Sequence, residues 1–314
     1  MALGVTDSES ADDLICGEGS FRFTESCLGF GGVKNARRRE SSRRCIFASL
    51  DSSLLAAMIE PFFVSNHAPQ FRGREAVSCI YCLKIHNLTK EHIIPQRLGG
   101  NIWLPKASCS DCAKLIRAEF EEEVITRVMQ GARLHVGVKR KRRPRPQDFV
   151  QVRGQRSAGD IDIRLPLSQA PICLAMPEFH RPPIMPGGMV GINGMFVNPL
   201  RSRWGHPEWT SYSSPVVTIP KFMRFIAKMA HGYAFHAAGK SFKPLLTDYI
   251  LSKDVGQSWH PCIGTDQTDN RPQADYLHHI SADWEPINDK QHLVVRICLF
   301  ACLGAPTYIA VTGI

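Results

Sequence analysis

The sequence lacks any apolar run that approaches the ~20 residues of a membrane-spanning helix. The closest candidate, Ile297 to Leu303, follows Arg296 and stops at Gly304. The first residues also lack the charged and then apolar layout of a secretory signal, because Asp7 and Asp12 fall where the apolar part should be. No internal repeat is found. We therefore expect a soluble protein of the cytoplasm.

Extremes of composition are absent as well. Hydrophobic residues make up 44% and charged residues 21% of the 314 positions, which is ordinary for a globular protein and excludes wholesale disorder and collagen-like repeats. At roughly 150 residues per domain, the length predicts one or two domains. Lys and Arg number 38 against 29 Asp and Glu, and the net charge of +9 favours a polyanionic partner, either nucleic acid or a membrane surface.

The eleven cysteines do not suggest a disulfide scaffold, because their number is odd and no secretory signal is seen. Seven are scattered singly and are expected to act as small buried hydrophobic residues. The other four form two C-x2-C pairs, and this spacing predicts a tetrahedral zinc site. Four thiolates leave no open coordination position, so the zinc is expected to be structural. The four ligands are Cys79, Cys82, Cys109 and Cys112.

The segment between the two cysteine pairs contains a candidate catalytic site. Glu91 lies directly before His92, in a strand-like stretch that ends at Pro95. A carboxylate can bind Mg²⁺ or Mn²⁺, and a neutral imidazole can take a proton from water near pH 7. On their own, these two residues could equally be a surface charge and an ordinary, partly buried histidine.

The stretch from Cys79 to Lys114 resembles the HNH (His-Asn-His) endonuclease family. The shared features are the two cysteine pairs, Glu-His-Ile-Ile-Pro at residues 91–95 and Leu-Gly-Gly-Asn at residues 98–101. The resemblance implies a β-hairpin and a helix around one catalytic metal, Mg²⁺ or Mn²⁺, and a subset of the family carries a structural zinc held by four cysteines. It covers only a small part of the chain.

The resemblance also implies roles for individual residues. His92 matches the general base, Glu91 matches a metal ligand and Asn101 matches the middle Asn that orients the base or its loop. The third position is Ala113, which cannot bind a metal. Side chains that could stand in for it are Asp111, His86 and Lys114.

Two functions follow from this match and its gap. One is a metal-dependent endonuclease that hydrolyses phosphodiester bonds in DNA, with RNA left open as a substrate and no membrane partner. The other is a zinc-stapled nucleic-acid-binding protein that has lost cleavage because of Ala113. A third possibility is that the C-terminal half is the working part and senses a ligand or a partner.

A dense basic segment follows the candidate site. Residues 133–156 contain nine basic residues and one acidic residue, a net charge of +8. Its prolines predict an extended linker, which either contacts nucleic-acid phosphates or is a solvated connection. The basic residues predicted to contact nucleic acid are Lys139, Arg140, Lys141, Arg142, Arg143 and Arg145.

The predicted fold class is α+β, with a small zinc-stapled ββα-metal domain of HNH type, resembling a treble clef, before a mixed α/β C-terminal domain. The predicted parts are a disordered extension (1–57), the zinc-stapled domain (75–131), the basic linker (132–157) and the C-terminal domain (158–314). An alternative is that residues 1–57 are not native coding sequence and that Met58 is the true start.

Within these parts, local patterns predict further helices, strands and loops. A helix opens at the second cysteine pair and stops at Gly131. Another begins at Thr218 or Pro220 and ends at Gly239. Residues 292–300 and 308–311 are predicted strands, residues 182–199 a long loop, and residues 278–279, both histidines, part of an exposed polar loop.

Overall fold

The computed structural model describes residues 21–24, 59–64, 69–138, 149–156, 159–166, 172–201, 211–214, 218–252, 259–268 and 274–314. The strands are β1 (Phe21–Thr24), β2 (Ile59–Val64), β3 (Phe71–Arg72), β4 (Leu88–His92), β5 (Ile102–Cys109), β6 (Phe149–Arg156), β7 (Gly159–Pro166), β8 (Ile172–Phe179), β9 (Ile192–Arg201), β10 (Ser211–Ser214), β11 (Ile263–Thr265), β12 (His278–Ile287), β13 (Lys290–Leu299) and β14 (Thr307–Gly313). The α-helices are α1 (Ser110–Ile116), α2 (Gln130–His135), α3 (Ile219–Ala238) and α4 (Thr247–Leu251).

The cysteine-rich segment forms a strand–strand–helix unit. β4 pairs antiparallel with β5, β3 adds to the other side of β5 in parallel, and β5 leads directly into α1. The segment that connects β4 to β5 contains Gly99 and Gly100. A Cβ on Gly100 would lie 1.9 Å from the carbonyl oxygen of Ile94, so this close approach of two backbone segments requires glycine.

The helix after the second cysteine pair is longer than its pattern predicts. It continues from α1 through the π-helical segments Arg117–Glu121 and Val124–Val128, and after an interruption at Met129 the chain forms α2. The predicted stop at Gly131 is wrong, because Gly131 lies inside α2 and packs against Ile172 of β8. A Cβ at that glycine would lie 2.6 Å from the Ile172 side chain. The turn after α2 instead contains Gly137, whose φ is +74°.

The C-terminal half contains an antiparallel five-stranded sheet with the order β11-β14-β13-β12-β2. The predicted strands at residues 292–300 and 308–311 are confirmed as β13 and β14. Helix α3 packs on this sheet and also on the helix that follows α1. It begins after Thr218, and Gly239 is its C-cap, as predicted. Every residue from Phe222 to Phe235 is buried, so α3 is the central helix of the fold.

Two predicted loops are wrong in part. Strand β9 occupies the second half of the predicted loop at residues 182–199, where it pairs with β8. The two histidines at residues 278–279 begin β12, and His278 is fully buried. They were missed because the pairing that buries them comes from Leu299 and Val64, both distant in sequence.

The two halves share one hydrophobic core, in which residues of the cysteine-rich unit pack with residues of α3 and the five-stranded sheet. The α+β class is thereby confirmed. The proposed division into four parts stays a prediction. The predicted N-terminal extension (1–57) contains β1, which pairs with β10. The predicted basic linker (132–157) contains β6, which pairs with β7. Among the helices of the described ranges, none has the length and hydropathy that crossing a membrane requires.

Candidate functional site

The four predicted zinc ligands lie together. One sulfur atom from each of the four cysteines is within 4.8 Å of the other three, and the Sγ atoms of Cys82 and Cys109 are 3.6 Å apart. Thiolates bound at ~2.3 Å to a tetrahedral zinc would be separated by roughly 3.8 Å, so the donor set fits zinc. Burial raises the pKa values of the Cys79 and Cys112 thiols. A bound metal ion supplies the bias that deprotonates such thiols.

Glu91 is buried and already paired with a cation. A register shift in the β4–β5 pairing lies between Thr89 and Glu91, a type of irregularity that re-aims side chains near functional sites. The Glu91 side chain is 9% exposed, and its Oε1 lies 2.6 Å from Nζ of Lys228 on α3. Burial raises the pKa of Glu91 above its ordinary value, although the charge of Lys228 opposes this rise.

Lys228 is the residue of this site that the sequence interpretation missed. Its side chain is 2% exposed, and its ammonium also lies 3.2 Å from Oε2 of Glu121 and donates to the carbonyl oxygen of His92 at 2.6 Å. An ammonium has three N–H donors, and these three oxygens match them in number. Burial lowers the pKa of Lys228, but the nearby carboxylates outweigh it and the net shift is upward. Lys228 therefore carries its charge near pH 7.

A sequence signal for this contact does exist. Four of the five basic side chains of α3 recur at intervals of three and four residues, which places them on one helix face. They are Lys221, Arg224, Lys228 and His231. In a helix that is otherwise apolar, such a row predicts a buried polar contact. Their partners could not be read from spacing alone.

All four basic side chains of this row meet the cysteine-rich unit. Lys221 pairs with Glu123 at 2.6 Å, and the guanidinium of Arg224 lies 4.8 Å from the ring centroid of Phe120. Nε2 of His231 lies 2.8 Å from the carbonyl oxygen of Ile80. Helix α3 thus covers the side of the unit on which Glu91 lies.

His92 and Asn101 occupy separate positions. His92 ends β4, is partly buried and pairs in register with Trp103. Asn101 is buried directly before β5, and its Nδ2 donates to the carbonyl oxygen of Pro69 at 3.0 Å. The Asn101 amide therefore fixes the backbone that leads into β3. Its proposed role as the middle Asn stays a prediction.

The three side chains that could stand in for Ala113 as a metal ligand are all exposed. Ala113 lies in α1, and Asp111 in the same helix forms an exposed ion pair with Lys84 at 3.1 Å. His86 and Lys114 are exposed. Within the described ranges, the four cysteines form the one group of three or more Cys, His, Asp or Glu side chains close enough to bind a metal.

A polar group without a hydrogen-bond partner among the described residues lies in the first cysteine pair, next to Cys82. The hydroxyl of Tyr81 is buried and forms no hydrogen bond with another described residue. Burial raises its pKa well above the ordinary value, and the charges of Glu91 and Glu121 add to the rise.

Comparison with protein families matches residues 79–129 to the family described as HNH endonuclease. Because of this similarity, we call residues 79–129 the HNH-type domain. The match begins at Cys79 and ends at Met129. The HNH-type domain therefore contains both cysteine pairs, β4, β5, α1 and the π-helical segments that follow α1. The predicted resemblance is confirmed for this segment, and its four cysteines lie close together, as a zinc-stapled form requires. Searches of curated proteins and of solved structures returned no match to the chain.

The predicted nucleic-acid contacts belong to the basic segment that follows α2. The six basic residues from Lys139 to Arg145 lie outside the described residues. Helix α2, which precedes them, packs against β8. The proposed phosphate contacts therefore stay a prediction.

Proposed function

We propose that the chain is an HNH-type endonuclease that hydrolyses phosphodiester bonds in DNA. The observation that supports this most is the position of His92, which is partly exposed beside Glu91 at the end of β4. This strand belongs to the hairpin that carries the four clustered cysteines, within the segment that matches the HNH endonuclease family. A partly exposed histidine at that point can reach a water molecule, whereas a fully buried one cannot.

In this proposal the protein's own groups carry out three tasks. His92 takes the proton from the attacking water, because a neutral imidazole is a competent base near pH 7. The four cysteines and their zinc fix the hairpin relative to the helix, and Asn101 fixes the segment before β3. A divalent ion, Mg²⁺ or Mn²⁺, would neutralise charge on the scissile phosphate. Glu91 is its expected ligand, although Lys228 holds this carboxylate in the arrangement described.

The partner and location belong to the same proposal. The basic residues between Lys139 and Arg145 would hold the phosphate backbone without reading sequence. DNA is the expected substrate and RNA is the alternative. We place the protein in the cytoplasm, since a reducing compartment keeps four zinc-binding thiols available.

A second function is favoured by two specific observations. Ala113 offers no metal ligand, and the Lys228 ammonium neutralises the one expected ligand, Glu91. A chain with these features could keep the HNH fold to bind nucleic acid without cutting it. The two functions differ in one measurable property, which is cleavage.

Both functions are tested on one preparation of the full chain. Binding of a fluorescent DNA duplex is measured by anisotropy, and nicking of supercoiled plasmid is measured with Mg²⁺ and with Mn²⁺. Binding together with metal-dependent nicking supports the endonuclease. Binding without nicking at any divalent metal supports the second function. A chain that neither binds nor cuts DNA or RNA contradicts both.

A further inference from the structure

The Lys228 ammonium marks a cation position that two carboxylates share. Glu91 contributes an oxygen from β4, and Glu121 contributes one from the helix after α1. The carbonyl oxygen of His92 is the third atom around the same nitrogen. Strand, helix and backbone therefore all supply oxygen to one point between the hairpin and the helix of the HNH-type domain.

The same set of oxygen atoms would also suit a hard metal ion. One positive charge faces two carboxylates, so the cluster carries an excess negative charge if both are ionised. Carboxylate and carbonyl oxygens are the ligands that Mg²⁺ and Mn²⁺ prefer. The Tyr81 hydroxyl of the same domain is buried and has no hydrogen-bond partner among the described residues.

We propose that Glu91 and Glu121 form the divalent-metal site of the HNH-type domain, and that Lys228 closes this site by placing its ammonium at the metal position. Glu121 then supplies the helix ligand that Ala113 cannot. The helix that carries position 113 also carries Glu121, eight residues later, and there a carboxylate reaches the same cation as Glu91. The proposal deepens the proposed nuclease function and rests on it, because the site has a role in cleavage only if the chain is a nuclease.

The closure has a physical consequence for metal binding. A divalent ion can enter only if the Lys228 ammonium leaves, because the two cations would otherwise be in contact. Lys228 lies within the buried stretch of α3, so its side chain is held in place by the surrounding core. The wild-type chain should therefore bind Mn²⁺ poorly at this position, and removal of the ammonium alone should open the site.

The test is Mn²⁺ binding to the full zinc-loaded chain, followed by electron paramagnetic resonance of free Mn²⁺ and without any nucleic acid. Lys228→Met should bind one Mn²⁺ per chain, with an affinity at least about tenfold above that of wild type. Adding Glu121→Gln to Lys228→Met should reverse the gain, because ligand-sphere changes cost about 10–100-fold in metal affinity. The matched control is Lys221→Met, which removes a lysine from the same face of α3. Because Lys221 pairs with Glu123 and not with Glu91 or Glu121, this variant should bind no additional Mn²⁺.

Two results would overturn the site. The first is a Lys228→Met chain that binds no more Mn²⁺ than wild type or Lys221→Met. The second is a gain in Mn²⁺ binding that Glu121→Gln leaves unchanged. Should Lys228→Met fail to fold, Lys228→Gln keeps a hydrogen-bond donor for the His92 carbonyl, and the same comparison is made in that variant. DNA is absent throughout, so failure of cleavage and failure of this site give separate results.

Discussion

The ammonium of Lys228 lies 2.6 Å from the carboxylate of Glu91, across the contact between the central helix α3 and the HNH-type domain. Both side chains are almost fully buried, so neither has solvent as an alternative partner. The pair joins a residue expected to be catalytic to a part of the chain that the family match does not include. The C-terminal half is therefore a structural component of the candidate site.

Removing Lys228 should destabilise the protein strongly. Lys228→Ala leaves Glu91 and Glu121 buried without their cation, and breaking a buried pair from one side costs about 3–5 kcal/mol. The free energy of unfolding is measured by urea titration without added divalent metal. The control is Lys221→Ala, whose more exposed pair should contribute only about 0–1 kcal/mol. Equal stability of the two variants would refute the buried pair.

The four-cysteine cluster should bind one structural zinc ion. Elemental analysis should find about one zinc per chain, and Cys79→Ser with Cys112→Ser should lose both the metal and the fold of the HNH-type domain. Circular dichroism and zinc content together provide the measurement. Cys302→Ser, which changes a partly buried cysteine outside the cluster, should leave both unchanged. A double serine variant that retains its zinc would rule this site out.

The basic segment should bind phosphates in a way that does not depend on sequence. Replacing the five basic residues from Lys139 to Arg143 with serine should weaken binding to all DNA sequences alike. The slope of log affinity against log salt should flatten by ~0.9 for each phosphate that the variant no longer neutralises. Anisotropy titrations at several salt concentrations measure this slope. An unchanged slope would reduce the segment to a connecting linker.

His278 should make the stability of the fold depend on pH. Its Nε2 lies 2.8 Å from the carbonyl oxygen of Leu98, and its Nδ1 accepts from the backbone N–H of Phe300 at 3.1 Å. This arrangement requires the neutral ring, and burial lowers the pKa of His278 to about 4. The unfolded chain, with a pKa near 6.5, takes up a proton first as the pH falls.

His278 therefore contributes stability that is complete above pH 6.5 and is lost as the pH falls toward 4. The contribution is about 3 kcal/mol, at about 1.4 kcal/mol per pKa unit. His278→Gln should have a shallower fall in unfolding free energy over this window than wild type, measured by denaturant titration at each pH. Parallel curves for the two proteins would show that His278 does not titrate in this way.

Local patterns in the sequence were sufficient for the zinc ligands and for the limits of α3. The spacing of the two C-x2-C pairs is enough to predict a four-cysteine site, and the four sulfur atoms do lie together. Thr218, Pro220 and Gly239 are local signals at the ends of α3. The contact of Lys228 with Glu91 could not be predicted in this way, because it joins residues 137 positions apart. His278 was misplaced for the same reason, since its burial depends on strand pairing and on a carbonyl group in the HNH-type domain.

The rate of metal-dependent DNA cleavage by His92→Ala tests the central claim most directly. With saturating Mn²⁺ and plasmid substrate, the variant should cleave at least about 100-fold more slowly than wild type, because a positioned general base contributes roughly 10²–10⁴-fold. Zinc content and DNA affinity should be unchanged, since neither depends on the imidazole. A wild-type chain that cleaves DNA, together with a His92→Ala variant that cleaves at the same rate, would contradict the assignment of His92 as the base.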